Sequence, residues 1–560
     1  MSASKHLLLW SSLAALALLV FAAVDENLLE DWRRVQRGYL ARTPAAAEAG
    51  FAVQLRQIVV PGLDATDRCV SCHVGMAPGE SALAGDRVTG KHPDVVHDPT
   101  EYGCTVCHSG QGRATEMAAA HGDVAHWPEP MIPQRYAYAG CGSCHTHLYV
   151  PELAQLKRGR ALVERNDCLA CHRLDGRGGT LRPGGTGGME GPDLSRIGPR
   201  LAATDWYSGH LEAREAETAP ASPWRTSFTE IAKEDRQAID VLLASSVGAP
   251  GLVEAKATFH SLGCRGCHKV GGVGGDDGPD LTHEGALDPG QLDFSHVPGE
   301  KTIAGWHEAH FRAPGRVVPG SQMPYLGLTS GQIDRLTFYM MSLRRSDFPG
   351  TYWPKDRVRA ERFGDREFAL DGATLYGTFC AACHGPEGEG MRYPGMTAFP
   401  AIANEDFLRV ASDAFIEETV SRGRPGRRMP AWGRAEGGLR PEEIDAVVAH
   451  VRTLGGGVAA EPDPRPARWA GEGAELGAPL YASSCASCHG AGGKGGEGPA
   501  LNNQVLLKSA TDTYLAETIL RGRRGTSMEG FARSSPTRRS LTRDEAAWIV
   551  AYIRQWEKGS

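Results

Sequence analysis

Every cysteine of this 560-residue chain lies in a Cys-x-x-Cys-His pentapeptide, which occurs seven times. In this pattern the two thiols can bond to the two vinyl groups of a haem, and the adjacent imidazole can coordinate its iron. The sequence therefore predicts seven covalently attached haems c. The residues concerned are Cys69, Cys72 and His73; Cys104, Cys107 and His108; Cys141, Cys144 and His145; Cys168, Cys171 and His172; Cys264, Cys267 and His268; Cys380, Cys383 and His384; and Cys485, Cys488 and His489.

Other uses of paired cysteines explain this pattern less well. A redox-active Cys-x-x-Cys pair needs no histidine after it. A zinc site would have to combine cysteine pairs from separate motifs and would leave the histidines unexplained. Structural disulfides would not repeat one spacing seven times. The predicted chemistry is therefore electron transfer at haem iron.

The N-terminal segment is predicted to be a membrane anchor. After Lys5 and His6, an apolar run extends over residues 7–24 with only Ser11 and Ser12 interrupting it. At the helical rise of about 1.5 Å per residue this run spans about 27 Å, close to a bilayer's hydrocarbon core. A cleaved signal peptide is the alternative, but the run is long for one. Haem of this type is attached on the outer side of the bacterial inner membrane. The positive charge before the run and the acidic residues after it favour an N-in, C-out orientation, so the haem domains are expected in the periplasm.

Composition and motif spacing predict a mainly α fold with several domains. The formal net charge is −7, and haem propionates would add negative charge, so nucleic-acid binding is not expected. The first three motifs are too close for separate domains and predict one compact triheme module, whereas the later four are about one small domain apart. The predicted divisions are 1–24 for the anchor, 25–60 for a helical connector, 61–150 for the triheme module, 348–365 and 457–470 for linkers, and 151–250, 251–347, 366–456 and 471–560 for four tandem domains.

The four later units share one order of parts. Each has a helix before the motif, a proline turn after it, then a loop and a closing amphipathic helix, two of which begin with the capping boxes Thr329…Gln332 and Thr542…Glu545. The turns are Gly191–Leu194, Gly278–Leu281, Phe399–Asn404 and Gly498–Leu501. Over residues 151–558 this order resembles four class I cytochrome c domains. The resemblance implies that each turn's proline carbonyl accepts a hydrogen bond from the haem-ligating imidazole.

The same resemblance implies that a methionine before each closing helix is the sixth iron ligand. Three units have one there: Met323, Met429 and Met528. The alternative is that these are loop or core methionines that fill gaps. The Cys168 unit differs, because Met189 comes too early and His210 is the nearest other ligand. Its haem is expected to be an atypical electron carrier, the alternative being an open haem at which an enzyme reduces a small ligand.

The triheme region contains histidines beyond those of its motifs: His92, His97, His121, His126 and His147. Three of these five could complete three bis-His haems, although a lone histidine is more often a surface or core residue. Residues 60–150 resemble the triheme module of membrane-anchored cytochromes of quinol-oxidising respiratory chains. The resemblance implies axial ligation by His92, His97, His121 and His126 and leaves their pairing with the three irons open.

The expected ligand types predict a direction of electron flow. Bis-His coordination lowers haem potentials and His/Met coordination raises them, so electrons should enter near the membrane and leave through the C-terminal domains. The expected donor is a quinol-oxidising cytochrome b-type or related membrane complex, and the acceptor is a cytochrome c, a terminal oxidase or a reductase. Two arginine clusters near the methionine loops, within 422–428 and 521–524, could neutralise propionates, steer an acidic partner or simply be solvated.

Overall fold

The structure is a computed structural model that describes residues 3–93, 95–179, 191–198, 231–344, 347–536 and 538–558. The chain is mainly helical, as the sequence predicts, and its strands form short two-stranded ladders. An exposed apolar helix, α1 (Ala3–Leu28), is long and apolar enough to cross a membrane. Two further helices, α2 (Asp31–Arg42) and α3 (Pro44–Glu48), form the connector after it. The amide of Gln36 on α2 donates to the carbonyl oxygen of Ser71 at 2.9 Å, which holds the connector against the first motif.

Short elements tied together by loops make up the triheme region. Strand β1 (Ile58–Val60) pairs antiparallel with β2 (Ala65–Asp67). The helices are α4 (Pro99–Tyr102), α5 (Thr105–His108) and α6 (Met117–His121), followed by a 3-10 segment, Gln134–Ser143. The Asp67 carboxylate accepts the backbone N–H groups of Cys104 at 2.5 Å and Thr105 at 3.1 Å. Because Asp67 ends the hairpin that leads to the first motif, it fixes the second motif beside the first.

The next two units each place the helix before the motif against the closing helix. The helices are α7 (Leu153–Arg165), α8 (Cys168–Cys171), α9 (Lys233–Ala244), α10 (Leu252–Ser261), α11 (Ile303–Arg312), α12 (Pro314–Val317) and α13 (Ser330–Ser342). Two-residue hairpins follow both motifs: β3 (Arg173–Leu174) with β4 (Arg177–Gly178), and β5 (Lys269–Val270) with β6 (Val273–Gly274). Helix α7 packs on α9 and α10 packs on α13. The capping box predicted at Thr329 and Gln332 is confirmed.

The last two units repeat the same arrangement after a linker helix, α14 (Lys355–Phe363). The helices are α15 (Gly372–Phe379), α16 (Ala381–His384), α17 (Glu405–Val410), α18 (Asp413–Arg422) and α19 (Pro441–Leu454), then α20 (Ala474–Ser484), α21 (Ala486–His489), α22 (Gln504–Ser509), α23 (Asp512–Arg521) and α24 (Arg543–Arg554). Helix α15 packs on α19 and α20 on α24. The capping box at Thr542 and Glu545 is also confirmed.

Two large apolar cores hold these units together in pairs. One core runs from Ile132 to Met341 and joins the end of the triheme region to the two units that follow it. The other runs from Phe368 to Ile553 and joins the last two units. Adjacent repeats therefore share buried apolar surface, and this fixes the relative positions of their motifs.

Candidate haem sites

All seven motifs share one backbone hydrogen bond. In each one the backbone N–H of the histidine donates to the carbonyl oxygen of the first cysteine, at distances of 2.8–3.0 Å. This single helical turn places the first cysteine, the second cysteine and the histidine on one face, because residues i, i+3 and i+4 are neighbours on a helix. Two thiols and an imidazole on one face are the donor set that covalent attachment of haem requires. The residues therefore fit the cofactor.

In the four later motifs, the histidine is oriented by the proline turn. The Nδ1–H groups of His172, His268, His384 and His489 donate to the carbonyl oxygens of Pro192, Pro279, Pro400 and Pro499 respectively, each at 2.9 Å. These contacts confirm the hydrogen bond that the cytochrome c resemblance implied. With Nδ1 engaged, Nε2 is left as the nitrogen available to a metal. In the triheme region, His73 makes a similar contact with the carbonyl oxygen of Val88 at 3.0 Å.

Glycine is required at the start of the Gly-Pro turns because the imidazole lies directly against it. A Cβ atom on Gly278 would lie 2.5 Å from Cε1 of His268, and one on Gly498 would lie 2.9 Å from Cε1 of His489. Burial lowers the pKa of His268 and of His384, although their proline carbonyls act in the opposite direction. Lowered pKa values favour the neutral imidazole, which is the form that binds a metal.

The methionine loops of the last two units form equivalent hairpins. The backbone N–H of Arg424 donates to the carbonyl oxygen of Met429 at 2.9 Å, and that of Arg523 donates to Met528 at 2.6 Å. Met429 packs against the second apolar core, and Met323 packs against the first. The three methionines thus lie in loops that lead to closing helices, while their ligation of iron stays a prediction.

Two of the additional histidines lie opposite motif histidines in the triheme region. The ring centroids of His97 and His145 are 6.3 Å apart, and those of His92 and His108 are 5.9 Å apart. Two imidazoles that share one metal have centroids roughly 6 Å apart, since each metal–nitrogen bond is about 2 Å long. Nδ1 of His92 also contacts the carbonyl oxygen of Pro93 at 2.7 Å, which leaves its Nε2 for a metal.

A third additional histidine, His121, lies near the first motif. Burial lowers the pKa of His73, and the neighbouring imidazoles of His121 and His92 lower it further. Helix α6, which ends at His121, is held in place because the backbone N–H of Met117 donates to Asp31 at 3.0 Å. His121 therefore lies near His73, while its ligation of the iron there stays a prediction.

The remaining predicted ligands are placed differently. His126 is exposed, in a turn with a positive φ of 65°. Nδ1 of His147 contacts the hydroxyl group of Thr146 at 2.7 Å. Met189 and His210 lie outside the described residues, so the sixth ligand of the Cys168 unit stays open.

Several motifs lie against one another in space. The side chains of Cys69 and Cys104 are neighbours, and Asp67, two residues before the first motif, accepts the backbone N–H of Cys104 at 2.5 Å. Gly263, directly before the fifth motif, packs against Ala382 of the sixth. Gly140, at the start of the third motif, packs directly on the carbonyl group of Cys107. The first, second and third motifs are thus neighbours, and so are the fifth and sixth.

The last two units pack together through reciprocal contacts. The side-chain amide of Asn404, the N-cap of α17, donates to the carbonyl oxygen of Arg524 at 2.8 Å. Asn503, the N-cap of α22, makes the equivalent contact with Pro425 at 3.1 Å. Pro425 and Arg524 both follow the arginine that begins a methionine hairpin. Such an exchange of equivalent contacts is what approximate two-fold symmetry produces.

The arginine clusters near the methionine hairpins take part in contacts between units. Arg428 pairs with Asp277 of the preceding unit at 2.6 Å, and Arg427 donates to the carbonyl group of Lys494 in the following one. Arg524 pairs with Asp406 across the last two units at 3.0 Å. These guanidinium groups therefore join adjacent repeats, a role that the sequence did not suggest for them.

Comparison with known proteins supports a relationship for the C-terminal half. A family model described as "Cytochrome c" matches residues 252–344, 369–455 and 474–557, which are three of the four predicted domains. A FixP subunit of a cbb3-type cytochrome c oxidase from Bradyrhizobium sp. (strain ORS 278) is 34% identical over 176 residues, which are 30% of this chain and 56% of that protein. The chain thus spans about half the length of this relative.

Two further similarities are weaker. A CcoP subunit of the cbb3-type oxidase of Cereibacter sphaeroides (strain ATCC 17023) is 26% identical over 230 residues, covering 40% of this chain and 69% of that protein. A solved Kuenenia stuttgartiensis reducing HAO-like protein complex covers 33% of this chain and 96% of its own at 20% identity. Its TM-score is 0.23, which is too low to bear on the fold.

Proposed function

We propose that this chain is a multihaem c-type cytochrome, and that it serves as a membrane-anchored electron-transfer subunit of a respiratory chain that carries seven haems c. Haem c supplies one-electron chemistry at its iron, and the residues of this chain attach, ligate and space the groups. The family model accounts for three domains. The backbone hydrogen bond from the histidine to the first cysteine, present in all seven motifs, supports the other four attachment sites.

The contact between successive motifs is the observation that carries this proposal. Motifs one to three adjoin one another, the fifth adjoins the sixth, and each methionine hairpin of the last two units contacts the N-cap asparagine of the other unit. An isolated redox enzyme needs one reactive centre, whereas a relay needs a series of centres in contact. The arrangement therefore favours conduction along the molecule.

The proposed ligands divide the haems into two groups with different reduction potentials. We assign His121, His92 and His97 to the irons bound by His73, His108 and His145, and Met323, Met429 and Met528 to those bound by His268, His384 and His489. Bis-His haems have lower potentials than His/Met haems, so electrons would enter the triheme module and leave through the last domains. The Cys168 unit is proposed to be a fourth cytochrome c domain, because its histidine contacts Pro192 as in the other three.

The proposed cellular location rests on helix α1, and the proposed acceptor rests on the similar proteins. Helix α1 would anchor the chain in the bacterial inner membrane, with the haem domains in the periplasm. The donor would be a quinol-oxidising cytochrome b-type or related membrane complex. Because the similar proteins are subunits of a cbb3-type cytochrome c oxidase, a terminal oxidase is the favoured acceptor, ahead of a soluble cytochrome c or a reductase.

Low-temperature EPR during a potentiometric titration of the purified holo-protein tests this function. Three low-potential, low-spin haems of large anisotropy and at least three high-potential ones are expected. Potentials in the opposite order would contradict the proposed direction. A persistent high-spin haem that binds small ligands would instead indicate an enzymatic site in the Cys168 unit.

A further inference from the structure

Two buried cationic side chains meet a partly buried carboxylate where the triheme region joins the 251–347 domain and the segment before α15. Lys256 and Arg265 are only 3% and 2% exposed. The ammonium group of Lys256 donates to one oxygen of the Glu367 carboxylate at 2.5 Å, and the guanidinium group of Arg265 donates to the other. One carboxylate therefore binds two cations.

This cluster contacts two haem-attachment motifs. Arg265 lies within the fifth motif, between Cys264 and Cys267. The ammonium group of Lys256 also donates to the carbonyl oxygen of Thr146 at 3.1 Å, and Thr146 directly follows the histidine of the third motif. The cluster thus lies between the end of the triheme module and the first domain of the His/Met series.

The charges in the cluster do not cancel. Burial opposes ionisation of Glu367, but Lys256 and Arg265 outweigh it and hold the pKa of this carboxyl group at about 2. The neighbouring His260 is neutral, because burial and the charge of Arg265 hold its pKa well below the usual value. Two cations and one carboxylate leave one net positive charge. An unpaired charge in a buried place is costly unless another group interacts favourably with it.

A buried cation near haem iron favours the reduced state, because reduction lowers the positive charge on the iron and the interior screens charges weakly. We propose that Lys256, Arg265 and Glu367 together hold one uncompensated positive charge between the third and fifth motifs and thereby raise the reduction potentials of the two haems attached there. This inference rests on the proposed function only in requiring that both motifs carry haem. The third haem would thus have a higher potential than its two histidine ligands alone would give it. Electrons would leave the triheme module through this haem, toward the domain that begins at α10.

Charge-changing variants of the holo-protein provide the test, with midpoint potentials measured by optical and EPR redox titration. Lys256→Met is expected to shift the midpoints of one or two haems to lower potential. Glu367→Gln is expected to shift the same haems to higher potential. The double variant keeps only the charge of Arg265 and should return the midpoints toward those of the wild type.

Two controls separate charge from packing. Lys256→Arg preserves the charge and should leave the midpoints in place, and Lys508→Met removes an exposed charge in the last domain and should move none. Shifts of both single variants in one direction, or a double variant further from the wild type than either, would overturn the proposal. If Lys256→Met does not fold, the Glu367→Gln variant alone tests the proposal. A shift of the midpoints to higher potential supports it, and a shift to lower potential overturns it.

The outcome is independent of the proposed partners, because the titration is made at equilibrium without them. The mass of the holo-protein counts its attached haems, and the masses of its proteolytic peptides show whether the third and fifth motifs carry theirs. Unmoved midpoints in a fully loaded protein would overturn the charge proposal alone. A third or fifth motif without haem would instead contradict the proposed function.

Discussion

Met429 is the proposed sulfur ligand of the haem attached at Cys380 and Cys383, and a nitrogen ligand can be substituted for it. A Met429→His substitution is expected to lower the midpoint of one haem by a fraction of the roughly 0.8 V over which axial ligands tune haem potentials. Redox titration of the holo-protein measures this shift. Met391→His, in another loop of the same domain, is the matched control and should leave all midpoints unchanged. An unaltered titration for Met429→His would show that this sulfur does not bind iron.

His97 and His126 offer a second comparison at the level of single side chains. His97→Ala should remove one axial ligand from the haem bound by His145 and convert it from low-spin to high-spin iron. His126 is exposed, so His126→Ala should leave the EPR spectrum unchanged. The reverse result would reassign the sixth ligand of the third haem.

Local and distant features differed in how far the sequence could predict them. The attachment residues and the contact of His268 with Pro279 follow from short spacings and a family resemblance, and the structure contains that contact. The pairing of His97 with His145 did not follow, because it depends on how loops between the motifs cross in space. The sequence supplied five additional histidines for three irons, and only the fold distinguishes among them.

The Gly-Pro turn is an element whose shape is set by the imidazole packed on it. A Gly278→Ala substitution would place Cβ 2.5 Å from His268, and should destabilise the domain by about 1–3 kcal/mol and weaken ligation of its haem. Chemical denaturation followed by haem absorbance measures both effects. Gly315→Ala in α12 meets no atom within 4 Å and should not destabilise the same domain. Equal losses in the two variants would argue against the steric explanation.

Helices were predicted more accurately than the surfaces between them. Both capping boxes and all four closing helices are present, because caps and apolar periodicity are local signals. The arginines of the methionine hairpins were expected to meet propionates, a partner or solvent, but Arg428 and Arg524 bind carboxylates of neighbouring repeats. Such partners are far away in sequence, and charge alone does not identify them.

At the scale of the molecule, Phe415 and Tyr514 occupy equivalent positions on α18 and α23 and pack against each other, with ring centroids 4.4 Å apart and a tilt of 36° between the rings. Phe415→Leu and Tyr514→Leu are each expected to loosen the pairing of the last two domains. A double-mutant cycle of unfolding free energies should give a coupling of about 0.5–1.5 kcal/mol.

If these variants loosen the pairing of the last two domains, proteolysis within the linker at 457–470 should be faster than in the wild type. Phe363→Leu, a change at an exposed ring outside both domains, should have no such effect. Additive free-energy losses from Phe415→Leu and Tyr514→Leu would mean that the rings do not stabilise the interface.

The reciprocal contacts of Asn404 and Asn503 have a consequence for the ancestry of the pair. Each domain presents an asparagine amide that donates a hydrogen bond to the other domain and a backbone carbonyl group that accepts one from it. Each therefore has a surface that is complementary to a copy of itself. A single ancestral domain with this surface would already have formed a homodimer. Duplication in tandem would then have joined two existing partners within one chain, and the later divergence of Phe415 and Tyr514 would have made the pairing specific to unlike halves.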